Sequence, residues 1–558
     1  MRKLSSFICL LTLVLAGSSA CAKDAGASSA AAPPAAAAAT AAADAGQDRT
    51  GITPQSFVQV AEGADLNARL EAAARRARAD NVRTPFWTAY TFDVRPGVAV
   101  DPWDGGTFHG SMNGYGGVYV FSGTDASGRT VETRNLGVFL LREASGGAVT
   151  RMEIYNLDRR REYAGYPVYA TGRADNGESL NYLRGIIEAA PASASNSSSK
   201  AGLLNERASL ALSLHDDPRV GGLLKGFVRS SQNQKIRSNS VYWLGQIGGE
   251  TQFLAELVRN ASEQLQLRKH AAHALGGSRD RAALSTLQSL FESVAERELR
   301  KSIVHSAAGN EDKAGALAFL LRVAKGDPER EVRKAAVHAV GEAGGESALD
   351  ELMRIYAADG ELEIKKTVIH AVGQLAEHKS ARAEARLFEI ARDAGAHQEL
   401  RKQAIHQLAE RNTDAVVIEL IKLYDADRTR TVRRQILHAL GESKQARAED
   451  KLFEIARASD DADARRTAIH MIGEKAGRRS LELLRETVES NAAETQVQMQ
   501  ALHAISERPA EESVPLLIKV AKTHPNQQVR KAAIHRLGES GDARALEFFR
   551  EVLAREKE

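Results

Sequence analysis

Residues 327–341 read DPEREVRKAAVHAVG, from Asp327 to Gly341. The stretch opens with an acidic turn carrying Pro328 and continues as an unbroken run of helix formers. With Val332 at 0° and about 100° per residue, Val332, Ala335, Ala336, Val337, Ala339 and Val340 fill an arc from roughly 300° through 0° to 140°. Arg333 falls at about 100°, inside that arc. A guanidinium among apolar neighbours needs a partner, and the turn before it (Asp327, Glu329, Glu331) is the expected source. Lys334 and His338 fall at about 200° and 240°, outside the arc and one turn apart.

The same register recurs every 31 to 36 residues. Upstream it begins at Ile236, Leu267 and Leu299, and downstream at Ile364, Leu400, Val432, Ala464, Val497 and Val529. Each copy precedes a second amphipathic run, such as Leu349, Leu352, Met353 and Tyr356. A divergent first unit is expected near Leu204 to Leu214. A helix pair of this length cannot bury its apolar face alone, so neighbouring pairs must stack into a solenoid. The unit resembles the HEAT-like repeats of exported bacterial proteins related to phycobilin-lyase-type repeats. That resemblance implies a binding scaffold, with the stripe-bearing helix of each pair lining the concave face, and it implies no bilin-lyase activity.

The expected fold class is therefore mainly α, a HEAT-like α-solenoid over residues 203–558 preceded by a small α+β domain over 51–192. In that domain Asp65 reads as the N-cap of a helix reaching Ala79. Strand-type runs lie at Phe86 to Val94, Gly117 to Phe121, Leu136 to Leu141 and Val149 to Tyr155, the last two joined by Ser145-Gly146-Gly147 as a hairpin. A Ser-rich linker is expected over 193–202, and an Ala/Pro-rich tether without enough apolar groups to order itself over 23–50. Residues 1–22 read as an export signal, with Arg2 and Lys3 before an apolar stretch from Phe7 to Ala16 too short to span a bilayer. Two readings stay open: small-residue cleavage around Ala20-Cys21-Ala22, giving a soluble periplasmic protein, or acylation of Cys21 as a bacterial lipoprotein. The only two cysteines, Cys9 and Cys21, lie in this segment, so no disulfide or thiolate metal site is expected in the fold. Nothing further along is apolar enough to cross a membrane.

Charge is nearly balanced, 75 Lys+Arg against 72 Asp+Glu. With no segment basic overall, nucleic acid is not an expected partner. The candidate binding residues are the basic–imidazole stripe: Lys334, His338, Lys366, His370, Lys402, His406, Arg434, His438, Arg466 and His470. Repeated along the array, such a stripe suits an acidic protein partner. Against this stand two plain alternatives: a solvated face neutralised by Glu residues four positions after the histidines, and imidazoles serving as spacers between helices. Parallel side chains one helix spacing apart do not converge on a metal, so neither metal nor cofactor is expected. His270 takes a core position and is expected to be buried. Nucleophile-elbow, zincin and phosphate-loop motifs are all lacking. The expected function is a non-catalytic envelope scaffold; the alternative is a hydrolase-like enzyme in residues 51–192, with the solenoid recruiting substrate. Asp101-Pro102-Trp103-Asp104-Gly105-Gly106 reads as ordinary turn chemistry there. If Cys21 is acylated, Cys21→Ala moves the protein from the membrane to the soluble envelope fraction. Soluble fractionation of the native protein leaves only the cleavage reading.

Overall fold

The computed structural model describes residues 53–555 apart from 101–107, 116–117, 126, 190–199, 379, 476 and 491–492. The expected export signal with Cys21, the tether, the loop at 101–106 and linker residues 193–199 lie outside the described residues.

The α+β module begins with β1 (Val58–Gln59) and α1 (Leu66–Ala79). Asp65 caps α1 as expected, accepting from the Ala68 amide at 2.8 Å. Then follow β2 (Phe86–Thr91), β3 (Ala99–Val100), β4 (Phe108–Tyr115), β5 (Val118–Asp125), β6 (Leu136–Arg142), β7 (Val149–Asn156), β8 (Val168–Arg173) and α2 (Asn176–Glu188). One sheet has the order β1-β8-β2-β6-β7, with β8 parallel to both neighbours; β3-β5-β4 form a second. The expected hairpin is β6 against β7, antiparallel, turning at Gly146 with φ +70°. Alternation sorts the β6 side chains: Val138 and Leu140 join the main core, while Phe139 faces Phe57, Trp87 and Tyr163 on the other side.

The solenoid starts at α3 (Lys200–Ser213). Its outer layer is α4 (Arg219–Ser230), α6 (Thr251–Arg259), α8 (Ala283–Ser293), α10 (Lys313–Gly326), α12 (Leu349–Ala358), α14 (Ala381–Arg392), α16 (Asp414–Ala426), α18 (Ala446–Ala458), α20 (Arg478–Glu489), α22 (Ala510–Thr523) and α24 (Ala543–Arg555). The recurring motif forms the other layer: α5 (Gln234–Ile247), α7 (Leu265–Gly276), α9 (Arg297–Ala308), α11 (Arg330–Ala343), α13 (Leu362–Glu377), α15 (Gln398–Glu410), α17 (Arg430–Glu442), α19 (Ala462–Gly473), α21 (Thr495–Ser506) and α23 (Gln527–Ser540). All six residues assigned to the apolar arc of α11 are buried.

Module and solenoid share one core, which runs from Leu66 and Tyr90 through the repeats to Phe548. At their junction Val94 bridges His215, the Arg95 amide donates to the Leu214 carbonyl at 2.9 Å, and the Asp216 amide donates to Asp93 at 2.8 Å. His215 is 2% exposed and stacks on Phe92 with ring centroids 4.1 Å apart. The Ala211 carbonyl, 2.8 Å from Nδ1, can only accept, so Nδ1 carries the proton and Nε2 accepts from Ser179 Oγ at 2.8 Å. Burial pushes the imidazole down to about 4, keeping it neutral.

Motif helices approach one another at their closing glycines, which face Ala274, Ser306, Ala371 and Ala504 but also Gln407 and Met471. The glycine closing the motif meets the eighth motif residue of the next helix. A Cβ on Gly245 would lie 2.5 Å from the Ala274 carbonyl oxygen, and one on Gly276 would run into the carbonyl of Ser306. The motif helices pack on one another more closely than the helices of the other layer do, and in a curved stack the closer-packed layer is the inner one. Gly276→Ala, which must displace backbone, is expected to cost about 1–3 kcal/mol. Gly538→Ala meets nothing within 4 Å and is expected to be neutral or to gain up to about 1 kcal/mol of helix propensity. Chemical denaturation of both variants checks this; equal losses would mean that the glycines do not set helix spacing.

Candidate functional site

The second motif residue builds a ladder between repeats. Arg268 donates from Nε to the Val258 carbonyl at 2.8 Å and from Nη1 to Glu296 at 2.7 Å. Arg401, 2% exposed, donates from Nε to Ala391 at 3.0 Å and pairs with Asp427. Arg237–Glu263, Arg300–Asp327, Arg333–Glu361, Arg433–Asp461 and Arg465–Glu494 likewise reach a carboxylate of the next turn, although Arg433 and Arg465 leave Nε without a hydrogen-bond partner. This corrects the sequence expectation for Arg333. Its carboxylates are Asp359 and Glu361, from the turn of the following repeat, while its own turn supplies the Asp327 carbonyl. The guanidinium spans the junction because its helix packs beside the next one, which the wheel of a single helix cannot display. Burial pushes the Asp427 carboxyl up, but Arg401 and the Thr429 amide pull it further down, so it lies below the ordinary carboxylate range.

Two rungs differ. Lys365 lies over the Tyr356 ring, 5.3 Å from its centroid. Between α21 and α23 the rung is neutral: Gln498 Nε2 donates to Val488 and Ser490 at 3.2 and 2.9 Å. His524 stands in the place of Asp327 and Asp427, with Nε2 2.8 Å from the Val488 carbonyl. Arg and Asp are replaced together, which preserves hydrogen bonds without leaving one charge unpaired.

The candidate binding residues emerge on the inner layer, as the wheel requires, but they are not a bare basic stripe. Lys334, Lys366 and Lys402 each meet the carboxylate three residues earlier, Glu331, Glu363 and Glu399, at 3.4, 3.1 and 3.1 Å. Arg434 and Arg466 share Asp463 at 2.6 and 3.1 Å, and bonds from Arg430, Arg434 and Arg466 hold that carboxyl well below its usual range. These i, i+3 partners are visible in the sequence; attention to the Glu four residues after each His passes over them. Those later carboxylates also approach: His406–Glu410 at 3.5 Å and His470–Glu474 at 3.7 Å. His338 Nδ1 lies 3.4 Å from Glu342 without hydrogen-bond geometry. The His338 and His370 rings stack at 5.7 Å and His305 meets His338 edge-on at 6.3 Å, so these three pack as spacers between helices. His438 takes the corresponding half-buried place on α17.

The stripe changes along the array. On α7, Lys269 and His273 have Gln266 and Gly277 where later repeats carry acids, and Lys269 makes no ion pair among the described residues. Contrary to expectation, His270 is exposed, with Nδ1 3.1 Å from Ser238 Oγ, because its helix turns that position outward beside α5. Burial and neighbouring positive groups hold His273 below the ordinary histidine range; burial does the same for His305. At the other end, a recess of about 580 Å³ is lined by His470, Glu474, His503, Glu507, Arg508 and Glu512. Arg508 is spent there on the Lys475 and Gly477 carbonyls at 2.6 and 2.9 Å and on Glu512 at 3.0 Å. In the α+β module, where the enzymatic alternative would reside, a cavity of about 230 Å³ is lined chiefly by Phe57, Ala89, Tyr90, Gly137, Phe139 and Leu157. No carboxylate, imidazole or amine is among its described lining residues.

Fold and inner face together define an α-solenoid carrying an N-terminal α+β module. HEAT repeats are matched at residues 295–373, 383–473 and 481–558. No curated protein matches the sequence. Human deoxyhypusine hydroxylase, in complex with glycerol, is 18% identical over 52% of this chain and 96% of its own, with a TM-score of 0.22. A Kap121p mutant is 13% identical over 68% of this chain and 47% of its own, with a TM-score of 0.36. Importin beta is 13% identical over 65% and 57%, with a TM-score of 0.31. The chain thus spans about half the length of the latter two.

Arg401→Ala leaves Asp427 buried without its cation and is expected to cost about 3–5 kcal/mol. Lys402→Ala breaks only an exposed pair and should stay within about 0.5 kcal/mol. The double change Arg401→Gln with Asp427→His copies the neutral rung and should recover part of the loss. Urea unfolding of the three variants checks this; a double variant no better than Arg401→Ala would show that the two rung types are not interchangeable.

Proposed function

We propose that this protein is a non-catalytic scaffold of a bacterial cell envelope that binds a protein partner along the inner face of its solenoid. One observation carries the reading: the Lys/Arg–His stripe takes part in neither the core nor the arginine ladder, yet recurs on one face from α7 to α23, interrupted only at Met499 on α21. The first 22 residues support export, and Cys21 offers a lipid anchor. The acidic-partner reading narrows to the α7–α9 end, where Lys269, His270 and His273 lack the flanking carboxylates of later repeats. At the α19–α21 end, Glu474, Glu507 and Glu512 favour polar or basic groups. A partner segment would then lie in one direction, acidic portion toward α7.

The test is fluorescence anisotropy of a labelled Glu-rich peptide with the full chain. Lys269→Glu with His273→Glu should weaken binding at least tenfold, Lys402→Glu less than threefold, and added salt should weaken binding throughout. Protonation adds positive charge, so affinity should rise with acidification. Because His273 and His305 are held low, the rise should continue below the ordinary midpoint of about 6.5. Equal effects of the two substitutions, or stronger binding in high salt, would end the acidic-partner reading.

A further inference from the structure

The α23–α24 end of the array presents, uncovered among the described residues, the kinds of group by which most earlier repeats hold their successors. At the second motif position, arginines from Arg237 to Arg465 reach a carboxylate of the next turn. Arg530 takes that position on α23 and donates only to the His524 and Pro525 carbonyls at 2.6 and 2.8 Å, with no carboxylate among the described residues. At the sixth position Val337, Ile369, Ile405, Leu437, Ile469 and Leu502 are at most 1% exposed, whereas Ile534 is 42% exposed. At the tenth position, where Gly245 and Gly276 meet the next helix, Gly538 has nothing within 4 Å. On α24, Leu546 and Leu553 are 57% and 61% exposed. A cation lacking its anion, an uncovered apolar side chain and a vacant helix-packing notch are independent observations, and they lie on one surface.

We propose that this end is a docking surface for a helical partner that imitates a following repeat. The partner has an acidic residue in the turn before a helix and, ten to twelve positions later, a residue that faces the glycine notch, most simply a small one as at Ala274, Ser306 and Ala371. Asp327 and Ala339, or Glu361 and Ala371, stand in that relation inside the array. The acid completes the Arg530 rung, the apolar face covers Ile534, and the small residue enters the notch at Gly538. A second helix covers Leu546 and Leu553. An apolar face left uncovered beside such a cation marks an interaction site. Charge complementarity favours a different protein over a second copy, because two such ends would bring Arg530 against Arg530, and seven of the internal acidic turns are already taken by the arginines before them.

The test uses the full chain and a labelled peptide of residues 326–344, which carries Asp327, Glu329 and Ala339. Saturable binding is expected by anisotropy. It should fall at least tenfold for the chain with Ile534→Lys, an exposed change that leaves the fold intact by circular dichroism, and equally for a peptide with Asp327→Asn and Glu329→Gln. Lys269→Glu should leave it unchanged, which separates this surface from the inner face. Absence of saturable binding, or binding indifferent to Ile534→Lys, overturns the proposal. A dimer in sedimentation that Ile534→Lys dissociates also overturns it, making the occupant a second copy.

Discussion

Everything in the array depends on a guanidinium held between two repeats. The motif places an arginine inside the apolar arc of its helix, where a solitary charge is costly. It is tolerated because the tip meets the acid of the next turn, and at Arg268 and Arg401 Nε also meets a carbonyl about ten residues back. The geometry fixes distance and rotation between successive helix pairs at once, which apolar packing alone specifies loosely. Ring contacts reinforce it: Arg300 lies 4.3 Å over Phe291 and Arg433 4.2 Å over Tyr424. The Gln498–His524 rung shows that the requirement is satisfied polar atoms at the junction rather than charge as such.

With junctions set by the ladder and spacing by the closing glycines, most outward side chains of the motif helices are free of structural duty, the stacked His305, His338 and His370 excepted. They are nevertheless not uniform. Carboxylates accumulate beside the histidines toward α19 and α21, and are sparse beside α7. Local i, i+3 and i, i+4 pairs draw on the same side chains a partner would meet, so a ligand must compete with them, and each such exposed pair is worth only a fraction of a kcal/mol. A face of this kind suits recognition by summed weak contacts over length, as expected for a solenoid.

The solenoid was legible in the sequence because its signal is repeated: one helical wheel drawn on Val332 describes the burial of Ile364, Val432 and Val529 as well. The cap at Asp65 and the β6–β7 hairpin were legible because each depends on local chemistry. What escaped was non-local. The strand β8, inserted between β1 and β2, joins segments far apart in the chain, and no periodicity in Val168–Arg173 announces it. The ladder acids were assigned to the wrong turn because pairing partners lie one repeat away. His270 was read as core from a wheel that knows nothing of the neighbouring helix, although its position is open. The stripe itself was found, but its neutralisation by Glu331, Glu363 and Glu399 is a property of the first helical turn that a search downstream of the histidine does not meet.

The continuous core between the α+β module and α3 has a mechanical consequence. In a one-dimensional stack, where each unit is stabilised only by its neighbours, loss of structure begins at the units with one neighbour. At the α3 end that role is taken by the α+β module: α3 packs on β7, and backbone bonds from Arg95 and Asp93, just past β2, hold Leu214 and Asp216 at its end. The α24 end has no comparable anchor among the described residues. Fraying is therefore one-sided: amide protection should decline from Leu214 toward Leu553, like a coiled spring clamped at one end.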